Sequence, residues 1–160
     1  MPKGRGGDII SKMQALFTIG VFGIIFDEQK RVLLAHRTDY DLWNLPGGRL
    51  EANESPWDGV IREIKEETGF DAEVIKIAGV SFKPEKNNVV FTFLCRVVGG
   101  KIASSRESDK VEYFEIEKIP ANTVIKQVER IKDILQNPSE VILKVQTGKT
   151  SIELVKEGKL

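Results

Sequence analysis

GGRLEANESPWDGVIREIKEETGF, residues 47–70, is the most informative stretch of this 160-residue chain. It carries six acidic residues, and three of them, Glu63, Glu66 and Glu67, fall within five positions. Like charges three or four residues apart on a helix repel each other by about 0.2–0.5 kcal/mol per pair. A ligand of opposite charge is therefore expected to offset this repulsion.

The second half of the stretch predicts a helix from about Pro56 to Thr68. Ser55 is a good N-cap, Pro56 suits the first helical position, and Gly69 suits the position after the last turn. At about 100° per residue, one apolar stripe is expected to face the core. Its members are Trp57, Val60, Ile61, Ile64 and Thr68. The neighbouring stripe carries the three glutamates, so their carboxylates can converge on one point.

Glycines before and within this helix favour a ligand at the acidic stripe. Gly47 and Gly48 let the backbone approach a ligand and offer it a carbonyl. Gly59 costs about 1 kcal/mol relative to alanine inside a helix, and it is expected to leave that face open to a bulky group. Carbonyl and carboxylate oxygens together are the ligands that Mg²⁺ and Mn²⁺ prefer. The alternative is a solvated acidic face on which Arg62 pairs with Glu66.

The stretch also resembles the Nudix box, the signature of a family of nucleotide hydrolases. The family pattern is Gly, any five, Glu, any seven, Arg-Glu, an aliphatic, any, Glu-Glu, any, Gly and an aliphatic. The matching residues are Gly48, Glu54, Arg62, Glu63, Ile64, Glu66, Glu67, Gly69 and Phe70, and only the aromatic Phe70 departs from the pattern.

This resemblance implies hydrolysis of a pyrophosphate bond in a nucleoside diphosphate linked to another group, with Mg²⁺ or Mn²⁺ as cofactor. It implies Glu63, Glu66, Glu67 and the Gly48 carbonyl as metal ligands. Glu54, Arg62 and Gly69 would form the scaffold of the box. Because a pyrophosphate is densely negative, cations must neutralise it as the bond breaks. The chain would then be an enzyme; the alternative is a catalytically silent Nudix-fold module that senses a nucleotide or binds a partner.

Residues outside the box are expected to complete the site. The general base would be a box glutamate, Glu63 or Glu66, or a loop glutamate from SSRESDKVEYFEI, where Glu107 is favoured over Glu112. Arg37 follows a predicted strand and would hold a substrate phosphate through its planar fork.

Trp43, beside the box, would stack on a base, although packing under its loop is an equally good interpretation. Phe82, after the next strand, would contact the substrate. The sequence leaves the nucleotide open among nucleoside triphosphates, ADP-ribose and nucleotide sugars.

The remaining sequence predicts an α+β protein, an α/β/α sandwich with a mixed β-sheet. Residues 1–13 would be a loose N-terminal arm and residues 14–160 a single Nudix domain ending in a β-hairpin at about 139–156. No apolar run is long enough to span a membrane, and the start of the chain lacks a secretory signal, so a cytoplasmic location is expected. The formal net charge is zero, which makes nucleic acid an unlikely partner. The arm and hairpin suggest a possible homodimer.

Overall fold

The computed structural model describes residues 16–160, which form two β-sheets and three α-helices. The strands are β1 (Thr18–Ile25), β2 (Val32–Arg37), β3 (Trp43–Asn44), β4 (Gly47–Arg49), β5 (Phe70–Lys83), β6 (Asn88–Gly100), β7 (Ser108–Phe114) and β8 (Ile142–Val145). The helices are α1 (Pro56–Thr68), α2 (Ile125–Gln136) and α3 (Ser151–Lys156). No helix in this part of the chain has the length and apolar character to cross a bilayer. The arm predicted for residues 1–13 lies outside the described residues.

The larger sheet is mixed, as predicted, with strand order β4-β1-β6-β5-β8. Strands β1 and β6 pair in parallel, as do β5 and β8, whereas β1–β4 and β5–β6 are antiparallel. The smaller sheet has the order β3-β2-β7 and is antiparallel. The β4 strand brings Gly47 and Gly48 to the edge of the larger sheet, next to β1.

Two apolar clusters hold the layers together, one under each long helix. Helix α1 buries Val60 and Ile64 against the cluster that contains Val21 and Phe93. Helix α2 buries its own apolar side chains in the second cluster, which consists of Ile24, Val32, Leu34, Trp43, Leu45, Ala78, Ile131 and Ile134. Successive residues of a strand point to opposite faces, so β1 contributes to both clusters. The predicted α/β/α sandwich is therefore confirmed.

Trp57 does not belong to the core, contrary to the helical periodicity. Its side chain is 57% exposed and lies in the first turn of α1. There it shares an open apolar concavity with Ile61, Val74 and Phe91 at the outer half of the sheet. The apolar stripe is present as predicted, but its first member, Trp57, is left mostly exposed at the start of α1.

The predicted C-terminal hairpin is also wrong in its second half. Strand β8 is present and pairs in parallel with β5, but the residues after the turn form helix α3. Thr150 and Glu153 make a capping box: the Glu153 N–H donates to Thr150 Oγ1 at 3.2 Å, and the Thr150 N–H donates to Glu153 Oε2 at 2.6 Å. These bonds satisfy the free N–H groups of a helix start, which outweighs the strand-like alternation of the following residues.

Candidate active site

Helix α1 has the predicted bounds because its caps are local and complete. Ser55 Oγ accepts the Asp58 N–H at 3.1 Å, and Gly69 adopts the left-handed conformation at φ 81°, with its N–H bonded to the Lys65 carbonyl. A residue with a Cβ atom is strained at such a φ, which is why glycine suits this position. The caps set the ends of the helix, and the burial of Val60 and Ile64 in the core turns Glu63 and Glu67 towards strand β4.

The absence of a side chain at Gly48 makes room for the Glu63 carboxylate. A Cβ added at Gly48 would lie 2.5 Å from Glu63 Oε1 and 2.8 Å from its Cδ. The adjacent Gly47 N–H donates to Glu67 Oε2 at 3.3 Å. The two glycines thus allow helix and strand to meet so closely that backbone and carboxylates share one surface.

Three carboxylates converge beside these glycines: Glu63, Glu67 and Glu107. One oxygen of each lies within 4.8 Å of the others, and Glu63 and Glu67 are each only 7% exposed. Glu107 lies in the segment before β7, and Thr38 anchors this segment. The Thr38 N–H donates to the Glu107 carbonyl at 3.1 Å, and Thr38 Oγ1 donates to the Arg106 carbonyl at 2.8 Å. This donor set of hard oxygens fits Mg²⁺ or Mn²⁺.

The electrostatics of the cluster indicate an uncompensated negative site. Burial, together with the charges of Glu63 and Glu107, raises the pKa of Glu67 to about 8, although the Gly47 N–H and Arg37 act in the opposite direction. Burial also raises the pKa of Glu63, against the lowering effect of Arg62. A cation would favour the charged form of both carboxyls, so the site gains most from a divalent ion.

Arg62 links the other box carboxylates into a network. Its Nε donates to Glu54 Oε2 at 2.6 Å and its Nη2 to Glu54 Oε1 at 3.0 Å, a two-pronged contact. Its Nη1 donates to Glu63 at 3.1 Å and to Glu66 at 3.2 Å. Glu66 is half exposed and lies outside the convergent group, so the structure brings together two of the three clustered box glutamates and adds Glu107.

Gly59 serves packing, and no ligand-sized opening lies at this position. A Cβ there would lie 2.6 Å from Leu50 Cδ1 and 2.8 Å from Glu54 Oε1. The Glu54 carboxylate cannot yield easily because Arg62 holds it at both oxygens.

Gly59→Ala is therefore expected to destabilise the protein by about 1–3 kcal/mol through overpacking, although alanine is the better helix former. Urea unfolding would measure this loss. Gly99→Ala serves as the control, because its Cβ would meet only the end of the Asp71 side chain, at 3.3 Å. A Gly59→Ala midpoint at or above that of the wild type would contradict the packing role.

The acidic cluster lies in the wall of a cleft of about 690 Å³. Part of this lining is predictable from the sequence, namely Arg37, Gly48, Arg62, Glu63, Glu66, Glu67 and Glu107. The lining also contains residues that the sequence does not single out, namely Phe22, Thr38, Asp39, Asn44, Arg49, Leu50, Glu51, Ser108 and Gln127. Asn44 could have been suspected from its position in WNLPGG beside the box. Phe22 and Gln127 look like ordinary strand and helix residues, so the sequence gives no signal for them.

Arg37 reaches the cleft, but Trp43 and Phe82 do not. Arg37 forms a two-pronged ion pair with Asp39 at 2.8 and 2.7 Å. Trp43 is 8% exposed and packs edge-on against Phe114, with ring centroids 4.9 Å apart, so it supports the loop from below. Phe82 lies near the end of β5 against Phe17, away from the cleft lining. Neither ring lines the cleft, and the predicted substrate contacts of Trp43 and Phe82 stay predictions.

Comparison with known proteins agrees with this geometry. The family model described as NUDIX domain matches residues 16–136, which is most of the chain. The chain belongs to the Nudix family. It is thus a Nudix hydrolase by family, and the matched range includes every strand and helix that lines the cleft.

Named relatives of this Nudix hydrolase differ in their substrates. A Bacillus subtilis (strain 168) protein named provisionally as an 8-oxo-dGTP diphosphatase is 30% identical over 132 residues, covering 82% of this chain and 89% of that protein. An ADP-ribose pyrophosphatase of Methanocaldococcus jannaschii is 30% identical over 108 residues, covering 64% of each chain. A solved Nudix hydrolase from Nitrosomonas europaea shares the fold with a TM-score of 0.74 at 22% identity, covering 82% of this chain and 79% of that one.

Proposed function

We propose that this Nudix hydrolase cleaves a pyrophosphate bond in a nucleoside diphosphate linked to another group, with Mg²⁺ or Mn²⁺ as cofactor. The observation that carries the proposal is the convergence of Glu63, Glu67 and Glu107 within 4.8 Å in the wall of a 690 Å³ cleft. In this proposal Glu63, Glu67 and the Gly48 carbonyl provide metal ligands, Glu66 adds a further ligand from its half-exposed position beside them, and Glu107 is a ligand or the general base.

The bound metal would supply charge neutralisation of the diphosphate and a more acidic water. The residues of the chain have separate tasks in this scheme. Arg62 holds Glu54, Glu63 and Glu66 in place, so the carboxylates meet the metal without a large reorganisation. Arg37 would exchange one prong of its Asp39 contact for a substrate phosphate.

The cleft lining also contains residues that suit a nucleoside. Phe22 offers an aromatic ring, and Asn44 and Gln127 offer carboxamides that can bind the edge of a base. The Leu45 N–H donates to Gln127 Oε1 at 2.6 Å, which fixes the orientation of this amide. An apolar ring combined with a few fixed polar groups is typical of sites that bind a small molecule.

The charge of the cleft favours a small nucleotide over nucleic acid. Three arginines in its lining face six acidic residues: Asp39, Glu51, Glu63, Glu66, Glu67 and Glu107. A nucleic-acid groove would need an excess of cations along its path. The substrate class in this proposal is therefore a nucleoside triphosphate, ADP-ribose or a nucleotide sugar, in line with the names of the two relatives.

A substrate panel with Mg²⁺ would test the proposal directly. It would contain ADP-ribose, nucleotide sugars, dinucleoside polyphosphates, the four dNTPs and 8-oxo-dGTP, with products separated by chromatography. Turnover of one class identifies the substrate and the bond that is cleaved. If metal-loaded protein binds these nucleotides and turns none of them over, the catalytically silent sensing module becomes the better assignment.

Glu107→Gln is expected to lower turnover by about tenfold to a hundredfold in the same assay. Glutamine keeps the size of the side chain but weakens it as a metal ligand or base. Glu112→Gln is the matched control, because Glu112 is an exposed residue of β7 outside the cleft lining. Equal turnover by both variants would exclude Glu107 from the chemistry.

The homodimer and the cytoplasmic location remain predictions. Strand β8 is the edge of the larger sheet, and its Leu143 and Val145 are 78% and 63% exposed. This surface is where a second copy would pack if the protein dimerises.

A further inference from the structure

Three basic residues lie close together near the Phe22 ring, outside the lining of the cleft. Lys83 ends β5, while Lys126 and Arg130 are one turn apart on α2. We call Lys83, Lys126 and Arg130 the basic cluster. The Arg130 guanidinium lies 5.6 Å from the centre of the Phe22 ring, and Phe22 lines the cleft. The basic cluster is therefore next to a residue of the cleft, but it is not part of the cleft lining.

The basic cluster has no acidic partner among residues 16–160 at salt-bridge distance. Lys126 Nζ donates to the Gly148 carbonyl at 2.8 Å, and Arg130 Nε donates to Gln146 Oε1 at 3.0 Å. Arg130 is only 4% exposed, and its Nη1 is buried without a hydrogen-bond partner in this part of the chain. Buried positive charge without a counter-ion destabilises a fold, so an anion is the natural complement.

The pKa values of Lys83 and Arg130 are both lowered in this cluster. Burial lowers the pKa of Lys83 to about 8, and the charges of Arg130 and Lys126 contribute to this decrease. Burial lowers the pKa of Arg130 to about 10, with Glu129 acting in the opposite direction. Neighbouring positive charge therefore adds to the effect of burial at Lys83, whereas burial alone lowers the pKa of Arg130.

A cavity of about 260 Å³ opens beside Lys83 and Lys126, and Arg130 lies outside its lining. Its lining has four lysines, Lys83, Lys86, Lys126 and Lys149, together with Glu85, Gly148, Thr150 and Glu153. Both glutamates are already engaged by the chain. Glu85 accepts the Gly148 N–H at 3.2 Å, and Glu153 accepts the Thr150 N–H at 2.6 Å and faces Lys86 Nζ at 3.5 Å. Lys149 pairs with Glu157 outside the lining, so Lys83 and Lys126 are the lysines of the cavity wall that have no carboxylate partner among the described residues.

We propose that this cavity binds an oxyanion of the phosphate type, held chiefly by Lys83 and Lys126. Each ammonium group has three donors, so Lys126 can keep its contact with the Gly148 carbonyl and still bind a phosphate oxygen. Charge-assisted bonds of this kind are short and strong. The anion would be free phosphate or the phosphate group of a nucleotide, since both present the same oxygens to the lysines. The site is separate from the carboxylate cluster and needs no metal.

Thermal unfolding in the presence of inorganic phosphate would test the proposal. The full chain is kept in EDTA, so that no metal can draw phosphate into the acidic site, and sodium chloride holds the ionic strength constant. Phosphate is expected to raise the wild-type Tm in a saturable way, because it binds the native state. Lys83→Met and Lys126→Met are each expected to weaken phosphate binding about tenfold or more.

Lys132→Met is the matched control, since it removes the same charge from an exposed position on α2. Its response to phosphate should equal that of the wild type. An equal response in all four proteins would overturn the proposal, and so would the absence of a response to both phosphate and AMP in every one of them. If Lys83→Met does not fold, Lys126→Met still gives the answer.

A second titration with AMP distinguishes the two sources of the anion. A response to phosphate that Lys126→Met weakens supports a site for the free anion. A response to AMP alone, weakened by Lys126→Met and unchanged by Lys132→Met, supports a site for a nucleotide phosphate. AMP binding that neither lysine variant changes, without a phosphate response, would count against the basic cluster.

Discussion

Glu67→Gln is expected to lower Mg²⁺-dependent hydrolysis by about a hundredfold or more while the fold is retained. Glu67 is 7% exposed, and one of its oxygens lies within 4.8 Å of an oxygen of Glu63 and of Glu107. Glutamine has almost the same shape, and its carbonyl oxygen can still accept the Gly47 N–H. It lacks the negative charge that a divalent cation needs, so the loss should fall on metal binding and catalysis.

The measurement is initial rates over a range of Mg²⁺ concentrations, using the substrate that the panel identifies. Circular dichroism would verify that the variant is folded. Glu112→Gln provides the comparison, because it removes one carboxylate from a neighbouring strand outside the cleft. Turnover by Glu67→Gln within twofold of the wild type would remove Glu67 from the proposed metal site.

Gly48→Ala is the second variant with a large expected effect. The new methyl group would stand 2.5 Å from Glu63 Oε1, so the carboxylate must move away from strand β4. Displacing a catalytic group by about an ångström costs about a hundredfold in rate. Because the clash is with the end of a side chain that Arg62 holds at one oxygen only, we expect a smaller loss of stability than for Gly59→Ala.

Rates and urea midpoints should be measured together for this variant. Gly20→Ala is a matched control on the neighbouring strand β1, where a Cβ would find only ordinary contacts at 3.4 Å or more. We expect Gly20→Ala to keep its activity. A Gly48→Ala enzyme with normal rates would show that Glu63 does not need its observed position.

The helix of the box was predictable because its determinants are local. Ser55, Pro56 and Gly69 set its ends within the sequence itself, and the structure has the same bounds, Pro56–Thr68. The strand character of residues 15–26 was equally clear, since β-branched and aromatic residues dominate there. Local chemistry of this kind leaves few competing conformations.

Features that depend on partners distant in sequence were not predictable. Helical spacing assigned Trp57 to an apolar stripe, but only the extent of the sheet decides whether that stripe is covered. The sequence leaves Trp43 with two interpretations, stacking on a base or packing under its loop, and only its contact with Phe114 favours packing. Apolar and polar residues alternate after β8 as in a strand, but Thr150 and Glu153 form a capping box that starts a helix there.

The site shows the same division between local and distant information. Glu63 and Glu67 could be placed on one face of a helix from their spacing alone. Glu107 was one of two loop candidates, and its position depends on its anchorage to Thr38, 69 positions away in the chain. Phe22 and Gln127 entered the cleft through the packing of β1 and α2, which no local pattern reveals.

The anchorage of Glu107 also divides the proposed catalytic centre between two parts of the fold that can open separately. Glu63 and Glu67 lie on α1, which packs on the larger sheet, whereas Glu107 hangs from the smaller sheet through Thr38. Proteins open in local cooperative units, and a largely exposed segment such as residues 101–107 opens more readily than a core helix. Opening of this segment would withdraw the third carboxylate and leave the other two in place. Heat or denaturant would thus silence the enzyme before it unfolds it.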